Sequence, residues 1–115
     1  MMTTPENGEN QRFNVEVIDE VATVRFLEPD IDVYSAPELQ SCYGDLIEDE
    51  SVRRLETDCS NLHYLDSSGL GVLVAGHKHA KAFEKEFVLR NPSQSLQKIL
   101  EVTGLVNLFA IEAEG

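Results

Sequence analysis

A chain of 115 residues is long enough for one hydrophobic core and favours a single domain. The formal net charge of -12 argues against nucleic acid or an anionic membrane as a partner, because both require clustered Lys and Arg side chains. No apolar run approaches the roughly 20 residues of a membrane span, and the first residues lack the basic and apolar regions of a signal peptide, so we expect a cytoplasmic protein.

The beginning of the chain is predicted to form a tail and a hairpin. Residues 1–11 are polar, which predicts a disordered tail. Apolar and polar residues alternate over Phe13–Val17, the pattern of a strand. A second apolar series runs from Val21 to Phe26. Asp19 and Glu20 lie between the two series, so we expect two strands joined by a tight turn.

An acidic loop is predicted to lead into the first helix. Residues 27–34 are irregular and rich in carboxylates. The next four residues, starting at Ser35, match a capping box, in which the hydroxyl of Ser35 accepts a hydrogen bond and Glu38 reaches back to the helix start. Apolar residues then recur at helical spacing, which predicts a helix over residues 36–49.

The rest of the chain alternates strands and helices. We predict a strand over Val52–Cys59, a helix from Ser68 to about Phe83, a strand over Phe87–Leu89, a helix that Ser93 caps, and an edge strand over Leu108–Ile111. The resulting order is β-β-α-β-α-β-α-β. It predicts a single α/β domain with one mixed β-sheet of about 4–5 strands, covered by about 3–4 helices.

Metal, catalytic and nucleotide sites find little support in the residues. His77 and His79 are two positions apart in a predicted helix and point in different directions, so we expect no metal site. The chain lacks the GxSxG elbow of many hydrolases and both common glycine-rich phosphate loops, so we expect neither an enzyme nor a cofactor. Cys42 and Cys59 form no CxxC motif and are predicted to be reduced, buried thiols.

Two serines lie where a strand gives way to the second helix, in the sequence DSSGLG. Ser67 or Ser68 could cap the helix by accepting a hydrogen bond from a free backbone N–H. A phosphate on one hydroxyl would instead add about -1.5 to -2 charges at neutral pH, which a helix N-terminus tolerates. A partner whose surface fits a neutral hydroxyl would then no longer bind. The residues alone leave both interpretations open.

Two segments carry a resemblance to a known family. LETDCSNLHYLDSSGLGVLV, residues 55–74, resembles the core signature of the STAS domain, specifically that of bacterial anti-sigma factor antagonists. FVLRNPSQSLQKILEVTGLVNLFAI, residues 87–111, is similar to the strand, turn, TGL-ending helix and last strand of the same family. The resemblance covers about residues 13–111 and implies one STAS domain over residues 12–112.

The resemblance implies a protein-binding switch that regulates transcription. In the family, the unphosphorylated antagonist binds an anti-sigma factor and so frees the sigma factor. The anti-sigma factor is often also a serine protein kinase with a histidine-kinase-like ATPase fold. Phosphorylation of the serine that follows the aspartate breaks the complex, and a PP2C-type phosphatase restores it.

Carried over to this sequence, the resemblance makes Ser67 the phosphoacceptor. It implies that Asp66 shapes the loop and the kinase contact, and that Ser68 caps the helix or contacts the partner. It assigns Gly69 to the same partner-binding loop, and it places Asp32 at the acidic position beside the phosphorylation site.

Two points qualify what the resemblance implies. Pro29 stands where the family usually has a glycine, and proline cannot adopt the positive φ that glycine permits, so we expect the loop near Ser67 to differ in shape. A STAS subunit that works without phosphorylation, in a stress-signalling scaffold or a lipid ABC transporter, is the alternative function that the same resemblance leaves open.

Overall fold

The structure, a computed structural model, describes residues 12–113, so the tail predicted over residues 1–11 lies outside the described residues. Seven strands and three helices follow one another in this part of the chain: β1 Phe13–Ile18, β2 Val21–Phe26, β3 Asp30–Ile31, α1 Ala36–Ile47, β4 Arg54–Asp58, β5 Tyr64–Leu65, α2 Ser67–Ala82, β6 Glu86–Arg90, α3 Gln94–Val102 and β7 Ala110–Glu112. None of the described helices is long and apolar enough to cross a membrane.

The main sheet has five strands in the order β1-β2-β4-β6-β7. Strands β1 and β2 are antiparallel, and the other neighbours are parallel. The predicted mixed α/β architecture and the order of its main elements are therefore confirmed. Asp19 and Glu20 form the hairpin turn with φ of 52° and 71°. Two positive φ values in succession match the right-handed twist of the flanking strands.

Strands β3 and β5 form a second, two-stranded parallel sheet. The acidic loop was expected to be irregular, and this expectation is wrong for Asp30–Ile31. Two residues give no measurable alternation of apolar and polar positions. The pair forms because Ile31 and Leu65 are both buried in the common core, which holds two distant segments side by side.

Helices α1 and α2 lie against the same face of the main sheet, and a glycine sets how closely they approach it. A Cβ atom added to Gly76 would lie 2.9 Å from the ring of Phe87 and 3.0 Å from the ring of Tyr43. Those two rings meet edge to face, with centroids 5.2 Å apart. The absence of a side chain at Gly76 therefore lets α2 pack directly on an aromatic pair in the core.

The core also contains one buried polar pair. The hydroxyls of Tyr43 in α1 and Thr57 in β4 are 2.7 Å apart, and both side chains are fully buried. A buried hydroxyl that loses its partner still carries the full free-energy cost of desolvation, and no hydrogen bond offsets that cost. This hydrogen bond therefore fixes how α1 sits on the sheet.

Removing the Tyr43 hydroxyl is expected to lower stability. The substitution Tyr43→Phe leaves Thr57 without its partner and should reduce the free energy of unfolding by about 1–2 kcal/mol. Urea unfolding measures this loss directly. The matched control is Tyr34→Phe, because Tyr34 is 78% exposed and its hydroxyl faces water. Equal effects of the two substitutions would contradict the structural role of the buried pair.

The opposite face of the main sheet carries ion pairs in place of helices. Arg54 contacts Glu56 at 2.7 Å, Glu86 at 2.6 Å and Glu112 at 3.0 Å. Arg90 contacts Glu56 at 3.1 Å. The two arginines and three glutamates on these three neighbouring strands are paired with one another, so a candidate site is better sought elsewhere on the molecule.

Candidate functional site

The short sheet of β3 and β5 brings the acidic loop beside the DSSG segment. Asp30 is paired with Tyr64, and Ile31 is paired with Leu65. The backbone N–H of Asp66 then donates to the carbonyl of Ile31 at 3.2 Å. Because the two strands are parallel, the residues that follow them leave the sheet at the same end. Asp32 and the DSSG segment therefore start from the same end of the short sheet. That Asp32 lies beside the phosphoacceptor stays a prediction.

Pro29 takes part in this junction through its carbonyl oxygen. That oxygen accepts hydrogen bonds from the backbone N–H groups of His63 at 2.9 Å and Tyr64 at 3.2 Å. Proline lacks only the N–H, which the junction does not need at this position. Pro29 therefore holds the two loops together, and the expected difference in loop shape stays a prediction.

Asp66 is the residue that caps α2. Its backbone is extended, with φ of -86° and ψ of -172°, and its Oδ1 accepts from the N–H of Gly69 at 3.0 Å. Ser67 is already the first residue of the helix, so the expectation that Ser67 or Ser68 caps it is wrong. A carboxylate also interacts favourably with the positive end of the helix dipole. Because Asp66 caps the helix, neither serine hydroxyl is needed as the N-cap.

Asp32 fixes the other loop by a similar arrangement. Its Oδ1 accepts from the backbone N–H of Tyr34 at 2.9 Å and of Ser35 at 3.1 Å. These backbone hydrogen bonds, the one from Ser35 foremost, hold the pKa of the Asp32 carboxyl below its ordinary value. The stabilisation is present above the unfolded-state pKa and is lost as pH falls through the lowered folded-state pKa. At neutral pH the loop is therefore held and Asp32 is charged.

The capping box predicted at Ser35 is wrong, because the side chain of Ser35 bonds to the Asp32 loop and not to the start of α1. Ser35 precedes α1, but its side chain makes no capping hydrogen bond. Its hydroxyl instead turns back and accepts from the N–H of Asp32 at 3.0 Å. Glu38, the other half of the predicted box, approaches Arg12 at 3.4 Å. By contrast, the predicted cap at Ser93 is confirmed, because its hydroxyl accepts from the N–H of Leu96 at 3.1 Å.

Gly69 lies behind the serines, on the buried side of α2. A Cβ atom there would be 2.9 Å from the side chain of Ile31 and 3.0 Å from the Cβ of Leu65. These are the two core residues of the short sheet. Gly69 therefore lets the first turn of α2 lie directly on that sheet, which gives this glycine a packing role beneath the site.

Ser67 is exposed and Ser68 is half-buried. Beside Ser67, an open and mostly apolar groove runs along α2. The sequence analysis missed this groove, although residues spaced four apart along the helix are small and offered a signal. Its lining comes from α2 and from the loop after α3: Ser67, Leu70, Gly71, Val74, Ala75, Lys78 and Leu105.

His77, His79 and the two cysteines lie away from this site. His77 packs edge to face on Phe109, and His79 contacts Glu48 at 3.1 Å. Among residues 12–113, no three His, Cys, Asp or Glu side chains converge as a metal site would require. Cys42 and Cys59 are both free thiols. Burial raises the pKa of Cys42 to about 11 and that of Cys59 to about 12, so neither is a nucleophile at neutral pH.

Comparison with known protein families matches residues 12–114 to the STAS domain. The chain belongs to the STAS domain family. One relative of this STAS domain is an anti-sigma-B factor antagonist of Listeria monocytogenes. It is 32% identical over 87 residues, which cover 76% of this chain and 75% of the relative.

Solved STAS structures share the fold. An anti-sigma factor antagonist from Mycobacterium paratuberculosis superposes with a TM-score of 0.76 at 27% identity, covering 87% of this chain and 83% of its own. The phosphorylated form of the Bacillus cell fate determinant SpoIIAA superposes with a TM-score of 0.69 at 23% identity, covering 89% of this chain and 91% of its own. At that identity the second likeness concerns the fold alone.

Proposed function

We propose that this STAS domain is an anti-sigma factor antagonist whose binding is switched by phosphorylation of Ser67. The observation that carries the proposal is the position of Ser67. It is the exposed first residue of α2, and the neighbouring Asp66 already caps the helix. The hydroxyl is thus available to a kinase, and no hydrogen bond of the helix cap must break when it is modified. The antagonist from Listeria, at 32% identity, supports the same function.

The charges around Ser67 explain why a phosphate would expel a partner. The two loops that meet there, residues 27–35 and 61–69, contain no Lys or Arg. They contain four carboxylates, namely Glu28, Asp30, Asp32 and Asp66. A phosphate on Ser67 would therefore find no cation in these loops to neutralise it, and the free N–H groups of the helix start would be its nearest favourable contacts. The partner would face an added dianion in an already acidic surface.

The partner is an anti-sigma factor that is also a serine protein kinase of the histidine-kinase-like ATPase type. It transfers the γ-phosphoryl group of ATP to Oγ of Ser67, the hydroxyl proton is lost, and ADP leaves. A PP2C-type phosphatase hydrolyses the phosphoserine and releases inorganic phosphate. The chain itself is the binding partner and substrate in this cycle, and it performs no catalytic step.

A phosphorylation assay tests the proposal. Each anti-sigma factor kinase encoded in the same genome is incubated with this protein and ATP, and the product is mapped by mass spectrometry. One kinase should place a single phosphate on Ser67. Ser67→Ala should abolish the modification, and the matched control Ser68→Ala should retain it.

Two other results would decide against the phosphorylation switch. Phosphate on another residue, with Ser67 unmodified, would remove Ser67 as the switch. If an anti-sigma factor binds the protein but none of the kinases phosphorylates Ser67, the alternative is favoured, a STAS subunit that works unphosphorylated.

A further inference from the structure

The two loops that meet at the site carry several exposed apolar side chains. Among the described residues, nine large hydrophobic side chains are exposed, and four of them lie in the two loops that meet at the site. The two aromatic members are Tyr34, which is 78% exposed, and Tyr64, which is 55% exposed. Apolar groups that cluster on a surface, rather than lie scattered singly, mark interaction sites. The four residues are Leu27, Val33, Tyr34 and Tyr64.

The backbone under both tyrosines is fixed. The N–H of Tyr34 donates to the carboxylate of Asp32 at 2.9 Å. Tyr64 belongs to β5, whose next residue, Leu65, is buried. Successive residues of a strand point to opposite faces, so Tyr64 points away from the core. Side chains that stand on an ordered backbone lose little freedom when they bind, which favours affinity.

Each tyrosine lies two residues from one of the two aspartates of the site. Tyr34 follows Asp32 by two residues, and Tyr64 precedes Asp66 by two residues. Asp30, which is paired with Tyr64 across the short sheet, is exposed on the same side. Arg12, a cation at this end of the sheet, is already shared between Glu28 and Glu38 at 3.4 Å each. The surface is therefore aromatic and acidic at once.

We infer that Tyr34 and Tyr64 are the two anchors by which this protein holds its anti-sigma factor. The matching surface of the anti-sigma factor offers apolar pockets for the two phenol rings, Lys and Arg side chains opposite the carboxylates, and a closed, uncharged contact opposite Ser67, where a phosphate would find no partner. Tyrosine is enriched among the interface residues that contribute most to affinity, because it buries a large rigid ring and keeps a polar tip. The carboxylates steer a basic surface into place and disfavour acidic ones.

This inference rests on the proposed function and adds a claim about selectivity. A phosphoserine decides whether the protein binds, whereas the two rings decide which anti-sigma factor it binds. An anti-sigma factor that lacks the pockets would leave both rings in water or force them against polar groups. The carboxylates alone would then give only weak, salt-sensitive association.

Titration calorimetry with recombinant anti-sigma factors from the same genome, one at a time, tests the inference. The factor that binds the unmodified wild-type chain serves as the probe. Tyr34→Ser and Tyr64→Ser should each weaken its binding by about tenfold or more, and raising the salt concentration should weaken the binding of the wild-type chain. The matched control is Phe83→Ser. Phe83 is an aromatic residue that is 45% exposed beyond the opposite end of α2, about 24 Å from Ser67 at 1.5 Å per helical residue.

The outcomes separate the two claims. If the probe binds wild type and both tyrosine variants equally well, the anchors are wrong while the antagonist function stands. The anchors are also wrong if Phe83→Ser weakens binding as much as the tyrosine variants do. If no anti-sigma factor of the genome binds the unmodified wild-type chain, the proposed function is overturned, and the anchors with it.

Discussion

The substitution Ser67→Asp is expected to weaken binding of the anti-sigma factor by at least about 100-fold, since a charge left unpaired in a desolvated interface costs about 3–5 kcal/mol. The loops around Ser67 contain no Lys or Arg that could neutralise the new carboxylate. The fold should barely change. Residue 67 is exposed in the first turn of α2, where a negative charge is favourable. Calorimetric titration and thermal unfolding measure the two effects separately.

Ser67→Asn is the matched control for this experiment. Asparagine has almost the size and shape of aspartate and carries no charge, so it should lose much less affinity. If the two variants lose the same affinity, bulk rather than charge excludes the partner. If neither loses affinity, residue 67 lies outside the contact surface, and the switch proposed here does not exist.

The two glycines of the GLG sequence are expected to respond to alanine in opposite directions. Gly69→Ala would place a methyl group within about 3 Å of Ile31 and Leu65, and overpacking of this kind costs about 1–3 kcal/mol. A Cβ atom on Gly71 meets nothing within 4 Å. Because alanine is the better helix former, Gly71→Ala should raise stability by about 0.5–1 kcal/mol.

Urea unfolding of both glycine variants measures whether Gly69→Ala lowers and Gly71→Ala raises the free energy of unfolding. Gly71→Ala is the internal control, since it makes the same chemical change two residues away on the exposed side of α2. A loss of stability in both variants would mean that helix α2 lies differently on the short sheet. A gain in both would mean that Ile31 and Leu65 move aside without cost.

The sequence predicted the main strands and helices because each is long enough to show its own periodicity. Apolar residues alternate in β1 and β2, and they recur at helical spacing in α1 and α2. The short sheet escaped prediction because Asp30–Ile31 has no pattern of its own. It forms only when its partner arrives from more than 30 residues away along the chain.

The caps show where local reasoning reaches its limit. Asp and Ser rank almost equally as N-cap residues, so residue type gave no reason to look beyond Ser67 and Ser68 to the adjacent Asp66. The choice of Asp66 depends on the hydrogen bond that anchors its N–H to Ile31, a contact between distant segments. Ser35 lost its capping role because Asp32 is close enough to engage it. The predicted cap at Ser93 was right, because its hydroxyl donates to the carbonyl of Leu62 at 2.8 Å and its oxygen stays free to accept from the helix.

The candidate site was predictable in part. The resemblance supplied Ser67 and Asp32 as candidates, and the parallel pairing of β3 with β5 explains why the segments that carry them leave the short sheet at the same end. The tyrosines were missed because periodicity detects side chains that face the core. Tyr34 and Tyr64 face water, so their clustering becomes visible only when the two loops are brought together.

That an aspartate holds the start of α2 has a consequence for the life of the protein in a cell. In the proposed switch, the hydrogen bond from Gly69 to Asp66 does not have to break when the adjacent hydroxyl is modified, so we expect the fraction of unfolded molecules to change little. Proteases and chaperones act on that fraction. Repeated rounds of modification can therefore carry a signal without shortening the lifetime of the molecule that carries it.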